Sequence, residues 1–391
     1  MAKSTTLIFT EDFPSCDGGR SIYAYELAKI SYKYDKNIVV LTHLFTKEDL
    51  DFDRQHPFKI LRVPLYKNRW IRFIRMALVF LKLCLQYNIK RVYAVVWFKP
   101  GFITYLLGGF FDIEYFISTF AYEVTAYEKP SFRRYIMKLT FKRAKLIFTC
   151  SEFSKNKIMQ IMNLPAKKII NIPLGVDIET FKPNLDARVI KNRFNLHGKK
   201  VILTVARLVD YKGQDMVIKA MPKILKAIPN AIYLIVGRDH GAETMLKKLV
   251  LDLNLENFVV FTGYVAHPIG AKNELPLYYN LCDLFVMSSR ENPLTGDAEG
   301  FGLVYLEANA CGKPVIGGRS GGIPSAVVDG VTGLLVEPLD INDIADKIIL
   351  LLTHKDYADR LANEGLRRAQ QLSWENVILK TLNASESQKN N

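Results

Sequence analysis

Short apolar runs alternate with longer stretches of helical periodicity along nearly the whole chain. In the first half, the runs predict buried strands at residues 7–9, 38–42, 91–97, 115–118 and 146–149. In the second half, they predict strands at residues 201–205, 231–236, 259–262, 284–287 and 314–316. Short buried strands that alternate with helices are typical of parallel sheets covered on both faces. We therefore predict an α/β fold with two Rossmann-like, doubly wound parallel-sheet domains, and we expect the ligand site in a cleft between them.

A chain of 391 residues has room for two domains that each bury a core. The first predicted domain comprises residues 1–184, and the second comprises residues 185–370. Residues 371–391 are predicted to contain a final helix, opened by Ser373-Trp374-Glu375, and a polar tail from Ser385 that we expect to be disordered.

Cysteine and histidine usage argues against a disulfide framework and against a metal site. The five cysteines are scattered without C-x-x-C spacing, and the histidines are isolated from one another. Asp51-Phe-Asp53 has the spacing of a metal-binding D-x-D, but we interpret it as a chance match in a polar loop. The first strand follows Met1 too closely for a signal sequence, and the most apolar run, residues 77–85, is too short to span a membrane. These features favour a cytoplasmic protein.

The net charge of +14 is concentrated in the first half of the chain. Residues 1–180 contain 28 Lys and Arg against 16 Asp and Glu, whereas the remaining residues contain 25 against 23. Such a surface suits anionic lipid or nucleic acid. Arg69, Arg72 and Arg75 recur at helical spacing beside Trp70, as in a helix lying in a membrane interface, although a helix with its apolar side in the core would have the same pattern. Because no nucleic-acid-binding motif accompanies the charge, an anionic membrane surface is the favoured partner.

Two carboxylates, Glu299 and Glu307, distinguish the segment of residues 297–324. Glu299 lies in a turn with Gly300 and Gly302, and the apolar residues that follow predict a helix with Glu307 about two turns inside it. Unpaired N–H groups at a helix start suit a diphosphate, and ionised carboxylates accept hydrogen bonds from sugar hydroxyls. The joint pattern therefore suits a nucleotide sugar, whereas either Glu alone would be interpreted as a solvated surface residue.

Other residues near predicted strand ends could contact a phosphate. Arg207 and Lys212 follow the strand at residues 201–205 and could hold a diphosphate, although two isolated cations would more simply form a solvated face. Gly18 and Gly19, between the first strand and the first helix, would let the backbone approach a phosphate, but a glycine pair alone marks most turns.

These segments together resemble the retaining, nucleotide-sugar-dependent glycosyltransferases of family 4, which have the GT-B fold. The resemblance rests on four segments: E-G-F-G-L-V-Y-L-E-A at 299–308, A-C-G-K-P-V-I-G-G-R-S-G-G-I-P at 310–324, P-L-G-V-D at 173–177 and R-L-V-D-Y-K-G at 207–213. It implies that Glu299 contacts the transferred sugar, that Glu307 holds the ribose, and that Arg207 and Lys212 hold the diphosphate. It implies further donor contacts from Gly18, Gly19, Gly237, Tyr264, Val265, Gly300, Phe301, Gly302 and Leu303.

The resemblance also implies an activity, namely metal-independent transfer of a hexose, without a cofactor, from a nucleoside diphosphate sugar. GDP-mannose is the first candidate donor, because the segments look most like those of mannosyltransferases that act on lipid-linked acceptors, and UDP-glucose or UDP-N-acetylglucosamine follows it. The acceptor would be a glycan or a lipid-linked glycan, as in polysaccharide or lipopolysaccharide biosynthesis, bound by the basic first domain at the inner face of the cytoplasmic membrane. In this fold the final helix often crosses back onto the first domain.

The chain departs from the family pattern at two places. Phe120-Ala121 replaces the His-Gly of many members, and phenylalanine cannot make the hydrogen bonds of a histidine that lines the reaction centre. Phe120 and Glu123 are the candidate acceptor-binding residues, although Glu123 could equally be a surface residue. Ser325 replaces a common acidic residue and could cap a helix. Phe120 leaves a second interpretation open: a catalytically idle relative that binds a nucleotide sugar or a glycan.

Overall fold

The computed structural model describes residues 4–14, 18–266, 273–292 and 295–387. The chain forms two compact units. The first unit comprises the described residues up to Leu174 together with those from Trp374 onward, and the second comprises Gly175–Ser373. The second unit is therefore inserted between two parts of the first.

The first unit contains seven strands among its described residues. They are β1 (Thr5–Thr10), β2 (Ile38–Leu44), β3 (Lys59–Pro64), β4 (Ile89–Val95), β5 (Glu114–Thr119), β6 (Leu146–Thr149) and β7 (Ile169–Asn171). Its helices are α1 (Gly19–Tyr34), α2 (Glu48–Arg54), α3 (Arg69–Gln86), α4 (Phe102–Leu107), α5 (Tyr122–Thr125), α6 (Phe132–Arg143), α7 (Glu152–Met162) and, after the second unit, α16 (Trp374–Glu386).

The second unit contains six strands among its described residues. They are β8 (Lys200–Val205), β9 (Ala231–Val236), β10 (Val259–Gly263), β11 (Leu284–Met287), β12 (Val315–Gly318) and β13 (Leu334–Val336). Its helices are α8 (Arg188–Arg193), α9 (Gln214–Ala227), α10 (Glu243–Asp252), α11 (Leu275–Leu281), α12 (Leu303–Ala310), α13 (Ile323–Ala326), α14 (Ile341–Thr353) and α15 (Lys355–Gln371).

Both sheets are parallel throughout, as predicted. Their strand orders are β3-β2-β1-β4-β5-β6-β7 and β10-β9-β8-β11-β12-β13. The order reverses between β1 and β4 in the first sheet and between β8 and β11 in the second, where Ile202 pairs with Leu284. Open parallel sheets bind ligands at such a switch point, beyond the carboxyl ends of the strands.

Each unit has its own apolar core. The first core packs β1 and β4 residues such as Phe9 and Val92 against Phe80 of α3. The second packs Ile235 of β9 against Val217 of α9. The near-continuous apolar character of the central strands follows from this burial on both faces.

The connection between the units lies ten residues before the boundary predicted at residue 184, after Leu174. The backbone N–H of Val176 donates to the carbonyl of Leu372 at 2.9 Å, and the Asn280 side chain donates to the carbonyl of Lys182 at 3.0 Å. Because these bonds tie the connecting segment to the second unit, the chain has already left the first unit before residue 184.

Three local predictions were wrong. Asp51 and Asp53 lie on helix α2 instead of in a loop, and Asp53 pairs with the buried guanidinium of Arg62 at 2.9 Å, which gives this carboxylate a structural role. Ser325 lies inside α13, which begins after Gly322, so it is not a helix cap. Ser385 is buried near the end of α16, where its hydroxyl donates to the carbonyl of Thr381 at 2.8 Å, so the predicted disordered tail does not begin there.

Candidate active site

Two loops meet at the switch point of the second sheet. The loop after β8 carries Lys212, the loop after β11 carries Glu299, and the Lys212 ammonium donates to the Glu299 carboxylate. Both side chains are largely shielded, with 12% and 16% of their surface exposed. The structure thus brings together two side chains that are 87 positions apart in the sequence.

Close backbone packing holds the Lys212 loop in place. Gly213 has a φ of +79°, and a Cβ atom there would lie 2.2 Å from the carbonyl oxygen of Ser288 at the end of β11. Only glycine fits this conformation and this approach. The glycine therefore sets the distance between the two loops that carry Lys212 and Glu299.

Glu307 lies one turn inside helix α12, where two turns had been predicted. The difference arises because α12 begins only at Leu303. Gly302, with a φ of +95°, ends the turn in a left-handed conformation, so residues 299–302 stay outside the helix. Phe301 is buried in this turn and anchors it. Glu299 and Glu307 consequently extend from the turn and from the helix interior, respectively.

Tyr279 of α11 is a site residue that the sequence analysis missed. Its buried phenol donates to the Glu307 carboxylate at 2.6 Å. Burial raises the pKa of Tyr279 well above its usual value, and the adjacent Glu307 carboxylate adds to this effect. The phenol therefore stays protonated and fixes one carboxylate oxygen of Glu307. An apolar helix pattern, such as that of α11, gives no sign that one of its tyrosines orients a carboxylate.

Arg207 lines a cleft of about 310 Å³ within the second unit. Its guanidinium contacts the Tyr211 hydroxyl at 3.2 Å, and its carbonyl accepts from the Gln214 side chain at 3.0 Å. The described lining residues are Arg207, Val209, Asp210, Tyr211, His240, Gly241, Ala242, Asn292 and Asp297. Arg207 is thus held by its own loop, and the described cleft lining includes neither Lys212 nor Glu299.

The predicted donor-binding residues after β9 and β10 also lie at the carboxyl edge of the second sheet. The backbone N–H of Gly237 donates to the carbonyl of Gly263 at 3.0 Å, and a Cβ atom at Gly237 would lie 1.8 Å from the Ala206 carbonyl oxygen. The Arg238 guanidinium lies 4.1 Å from the centre of the exposed Tyr264 ring, and Val265 follows half-buried. These contacts suit stacking of a planar group, and their role in donor binding stays a prediction.

An ion pair also joins the loops at the switch point of the first sheet. Glu11 follows β1 and accepts from the ammonium of Lys99, which follows β4. The His43 ring lies 3.8 Å from the same carboxylate. Burial alone would raise the pKa of Glu11, but His43 and Lys99 outweigh it and lower that pKa. The carboxylate is therefore ionised at neutral pH.

Phe120, Ala121 and Glu123 follow β5 at the same edge. Glu123 accepts from the backbone N–H of Phe120, and burial raises the pKa of this carboxyl. The Phe120 ring packs edge-on against Tyr23, with 5.3 Å between ring centres, and so occupies an apolar setting. Ala121 has a φ of +124°, which L-residues rarely adopt. Val96 and Lys99 also have positive φ, and strain of this kind clusters at functional sites.

Gly18 precedes α1 with a φ of +124°, and Gly19 is the first residue of that helix. Residues 15–17 of the predicted glycine loop, including Cys16, lie outside the described residues.

The four other cysteines are free thiols. Across the described ranges, no group of three His, Cys, Asp or Glu side chains could hold a metal ion. Nor does any helix of the described chain have the length and apolar character needed to cross a membrane.

Residues 186–368 match the model of a family described as glycosyl transferases group 1. The second unit is a group 1 glycosyltransferase domain. This domain contains Arg207, Lys212, Glu299 and Glu307, four of the residues for which the sequence resemblance implies donor contacts. The recognition of the family from sequence is thereby confirmed, whereas the individual residue roles stay predictions.

Relatives of the glycosyltransferase domain include mannosyltransferases. The GDP-mannose-dependent alpha-(1-6)-phosphatidylinositol monomannoside mannosyltransferase of Mycolicibacterium smegmatis is 36% identical over 206 residues, which are 52% of each chain. The chain thus spans about half the length of this relative. The GDP-mannose-dependent monoacylated alpha-(1-6)-phosphatidylinositol monomannoside mannosyltransferase of Corynebacterium glutamicum is 29% identical over 96% of both chains.

Solved structures extend the similarity to both units. Anabaena HepE, solved in complex with UDP, has a TM-score of 0.81 and 20% identity, covering 98% of this chain and all of that one. At this identity the likeness establishes the fold. The chain therefore has the GT-B fold, as predicted.

Proposed function

We propose that the protein is a retaining hexosyltransferase that moves mannose from GDP-mannose to a lipid-linked glycan acceptor at the inner face of the cytoplasmic membrane, without a metal ion. The observation that carries this proposal is the paired arrangement in the glycosyltransferase domain of Lys212 with Glu299 and of Tyr279 with Glu307. One pair joins a cation to a carboxylate, and the other presents an oriented carboxylate inside a helix. The names of the mycobacterial and corynebacterial relatives support mannose as the transferred sugar.

Each side chain has one role in this proposal. The Tyr279-oriented carboxylate of Glu307 accepts from ribose hydroxyls, and Glu299 accepts from hydroxyls of the transferred sugar. Arg207 and Lys212 hold the diphosphate and neutralise the negative charge that develops on it as the bond to the anomeric carbon breaks. The oxygen of an acceptor hydroxyl forms the new bond to that carbon with retention of configuration, its proton passes to the departing diphosphate, and the nucleoside diphosphate is released.

A donor panel tests the proposal. Purified protein is incubated with GDP-mannose, UDP-glucose or UDP-N-acetylglucosamine, with and without a membrane lipid extract, and free nucleoside diphosphate is measured. We expect extract-dependent release from GDP-mannose that Glu299→Ala abolishes. Glu291→Ala is the matched control, because Glu291 lies in the same loop and contacts only the backbone N–H of Gly321, at 3.4 Å, among its described partners. Release from a UDP-sugar alone would refute mannose as the transferred sugar.

Phe120 favours one competing function, a catalytically idle binder of nucleotide sugars. Its ring packs on Tyr23 and offers no hydrogen bond to a sugar. An idle binder would be stabilised against heat by one nucleotide sugar and yet release no diphosphate with any acceptor extract. Phe120→His then tests whether the side chain alone blocks turnover.

A further inference from the structure

Helix α3 carries apolar side chains on two faces. Its inner face, which includes Met76, Phe80 and Leu83, is buried in the first core. At about 100° per residue, five exposed apolar side chains fall within about 100° of one another on the outer face. They are Trp70, Ile71, Ile74, Leu78 and Leu85, and Trp70 and Leu78 are 66% and 56% exposed. Surface helices usually place polar residues there, so this outer face is suited to an apolar partner.

Cations of α3 itself accompany this apolar stripe. The helix contains Arg69, Arg72, Arg75 and Lys82 and no Asp or Glu, and none of these four cations forms a salt bridge among the described residues. Arg75 and Lys82 lie at the border of the stripe by the same angular count, and the Arg69 guanidinium lies 5.7 Å from the Trp70 ring centre. Tryptophan and arginine of this kind are typical of the level of lipid headgroups.

The neighbouring helices extend the surface. The rings of Phe73 in α3 and Phe102 in α4 lie 6.0 Å apart, and the Arg143 guanidinium of α6 donates to the Tyr105 carbonyl of α4 at 2.8 Å. Helix α6 contains five cations and no acidic residue. Exposed aromatic side chains continue on or next to these helices: Phe110, Phe132 and Tyr135.

We propose that the outer face of α3 docks on an anionic phospholipid bilayer, with its apolar stripe among the upper acyl chains and its cations at the phosphates. The proposal rests on the proposed function in one respect only, because a lipid-linked acceptor places the enzyme at a membrane. The positive charge of this face favours an anionic bilayer over a second copy of the chain. A second copy of the chain would bring the same α3 cations against one another, whereas anionic headgroups neutralise them.

Vesicle co-sedimentation of the full chain tests the docking face. Vesicles of phosphatidylcholine, alone or mixed with phosphatidylglycerol, are compared at low salt and at about 1 M salt, where the Debye length falls to about 3 Å. Leu78→Asp removes one apolar anchor and adds a repelled charge. Leu251→Asp is the matched control, because Leu251 is a helical leucine of similar exposure, 59%, in the second unit. Arg75→Glu and Lys82→Glu test the cations, and thermal unfolding verifies that each variant is folded.

We expect binding to the mixed vesicles, little binding to phosphatidylcholine alone, and loss of binding at high salt. Leu78→Asp should weaken the partition at least tenfold, and each charge reversal should weaken it at least fivefold, while Leu251→Asp has no effect. Equal effects of Leu78→Asp and Leu251→Asp would overturn the assignment of the face. The proposal would also be overturned if the protein did not bind anionic vesicles and instead formed dimers that Leu78→Asp abolishes. Salt-sensitive binding to a DNA duplex in place of vesicle binding would overturn it as well.

The experiments can refute the docking face and the proposed activity independently of each other. Absence of vesicle binding by a protein that still releases GDP from GDP-mannose refutes only the docking face. Vesicle binding by a protein that uses no nucleotide sugar supports the docking face and refutes only the proposed function.

Discussion

The Lys212–Glu299 ion pair joins two side chains that contact different parts of the proposed donor. In the proposed function Lys212 contacts the diphosphate and Glu299 contacts the transferred sugar, yet in the structure the two side chains neutralise each other. A nucleoside diphosphate lacks the transferred hexose that would contact Glu299, so its diphosphate has to share Lys212 with the Glu299 carboxylate. We therefore expect Glu299→Gln to bind GDP more tightly than the wild-type protein does.

The magnitude follows from the shielding of the pair. Two unit charges 4 Å apart attract by about 4 kcal/mol at an effective dielectric constant of about 20, before the loss of hydration is counted. The net contribution of a hydrogen bond to a charged group is about 1.5–3 kcal/mol. Lys212 and Glu299 are largely shielded, so their lost hydration offsets part of this attraction and we take the lower end of that range. Releasing the lysine should thus strengthen GDP binding about tenfold.

GDP-mannose should respond differently, because its hydroxyl bond to the ionised Glu299 becomes a weaker bond to a neutral amide, and this loss offsets the gain at Lys212. We expect little change in its affinity and a loss of turnover. Titration calorimetry of both ligands, with Glu291→Gln as the control, measures these effects. If Glu299→Gln binds GDP no more tightly than the wild type, the carboxylate does not compete for Lys212 and the reasoning is wrong.

Three further predictions concern stability. Ala121→Gly should stabilise the first unit by about 1 kcal/mol, because relief of a left-handed conformation worth about 1–2 kcal/mol exceeds the entropic cost of glycine; a lower melting temperature would contradict this. Gly213→Ala should destabilise the second unit by more than about 3 kcal/mol, whereas Gly330→Ala, with a φ of +71° and no atom near its Cβ, should cost only about 1 kcal/mol; equal losses in thermal unfolding would refute the role of close packing. Burial raises the pKa of Glu123, so its contribution to stability is present below the unfolded-state pKa and is lost as pH rises through the folded-state pKa. Glu123→Gln should therefore gain stability relative to the wild type as pH rises from acid to neutral, and a pH-independent difference in unfolding free energy would contradict this.

The strands that the sequence pattern missed are edge strands. β3 and β7 end the first sheet, and β13 ends the second. In β3, polar residues such as Lys59 and Arg62 interrupt the apolar run, whereas β7 and β13 contain only three residues each, which is too short for a recognisable pattern. The central strands, covered on both faces, were predicted because their residues are nearly all apolar.

In the candidate site, features that depend on neighbouring residues could be predicted from the sequence, whereas contacts between distant residues could not. The glycine turn before α12 and the positions of Lys212 and Glu299 could be predicted, since each depends on a few consecutive residues. The bond from Tyr279 to Glu307 and the bond from Glu11 to Lys99 could not, because each joins residues from different βα units. Such pairs depend on which strands become neighbours in the sheet, and no periodicity in the chain encodes that order.

Helix α16 packs on α1 in the first unit, where Trp374 contacts Tyr23 and Glu375 accepts from Lys33 at 2.6 Å. This helix follows the glycosyltransferase domain in the chain, so it leaves the ribosome after that domain. During synthesis the glycosyltransferase domain is therefore complete while α1 still lacks its covering helix. Although domains generally fold in the order of their synthesis, the first unit of this protein cannot acquire its covering helix until the second unit has been synthesised. A protein truncated before Trp374 would keep every predicted donor-binding side chain and yet leave the buried Tyr23 ring of the first unit exposed to water.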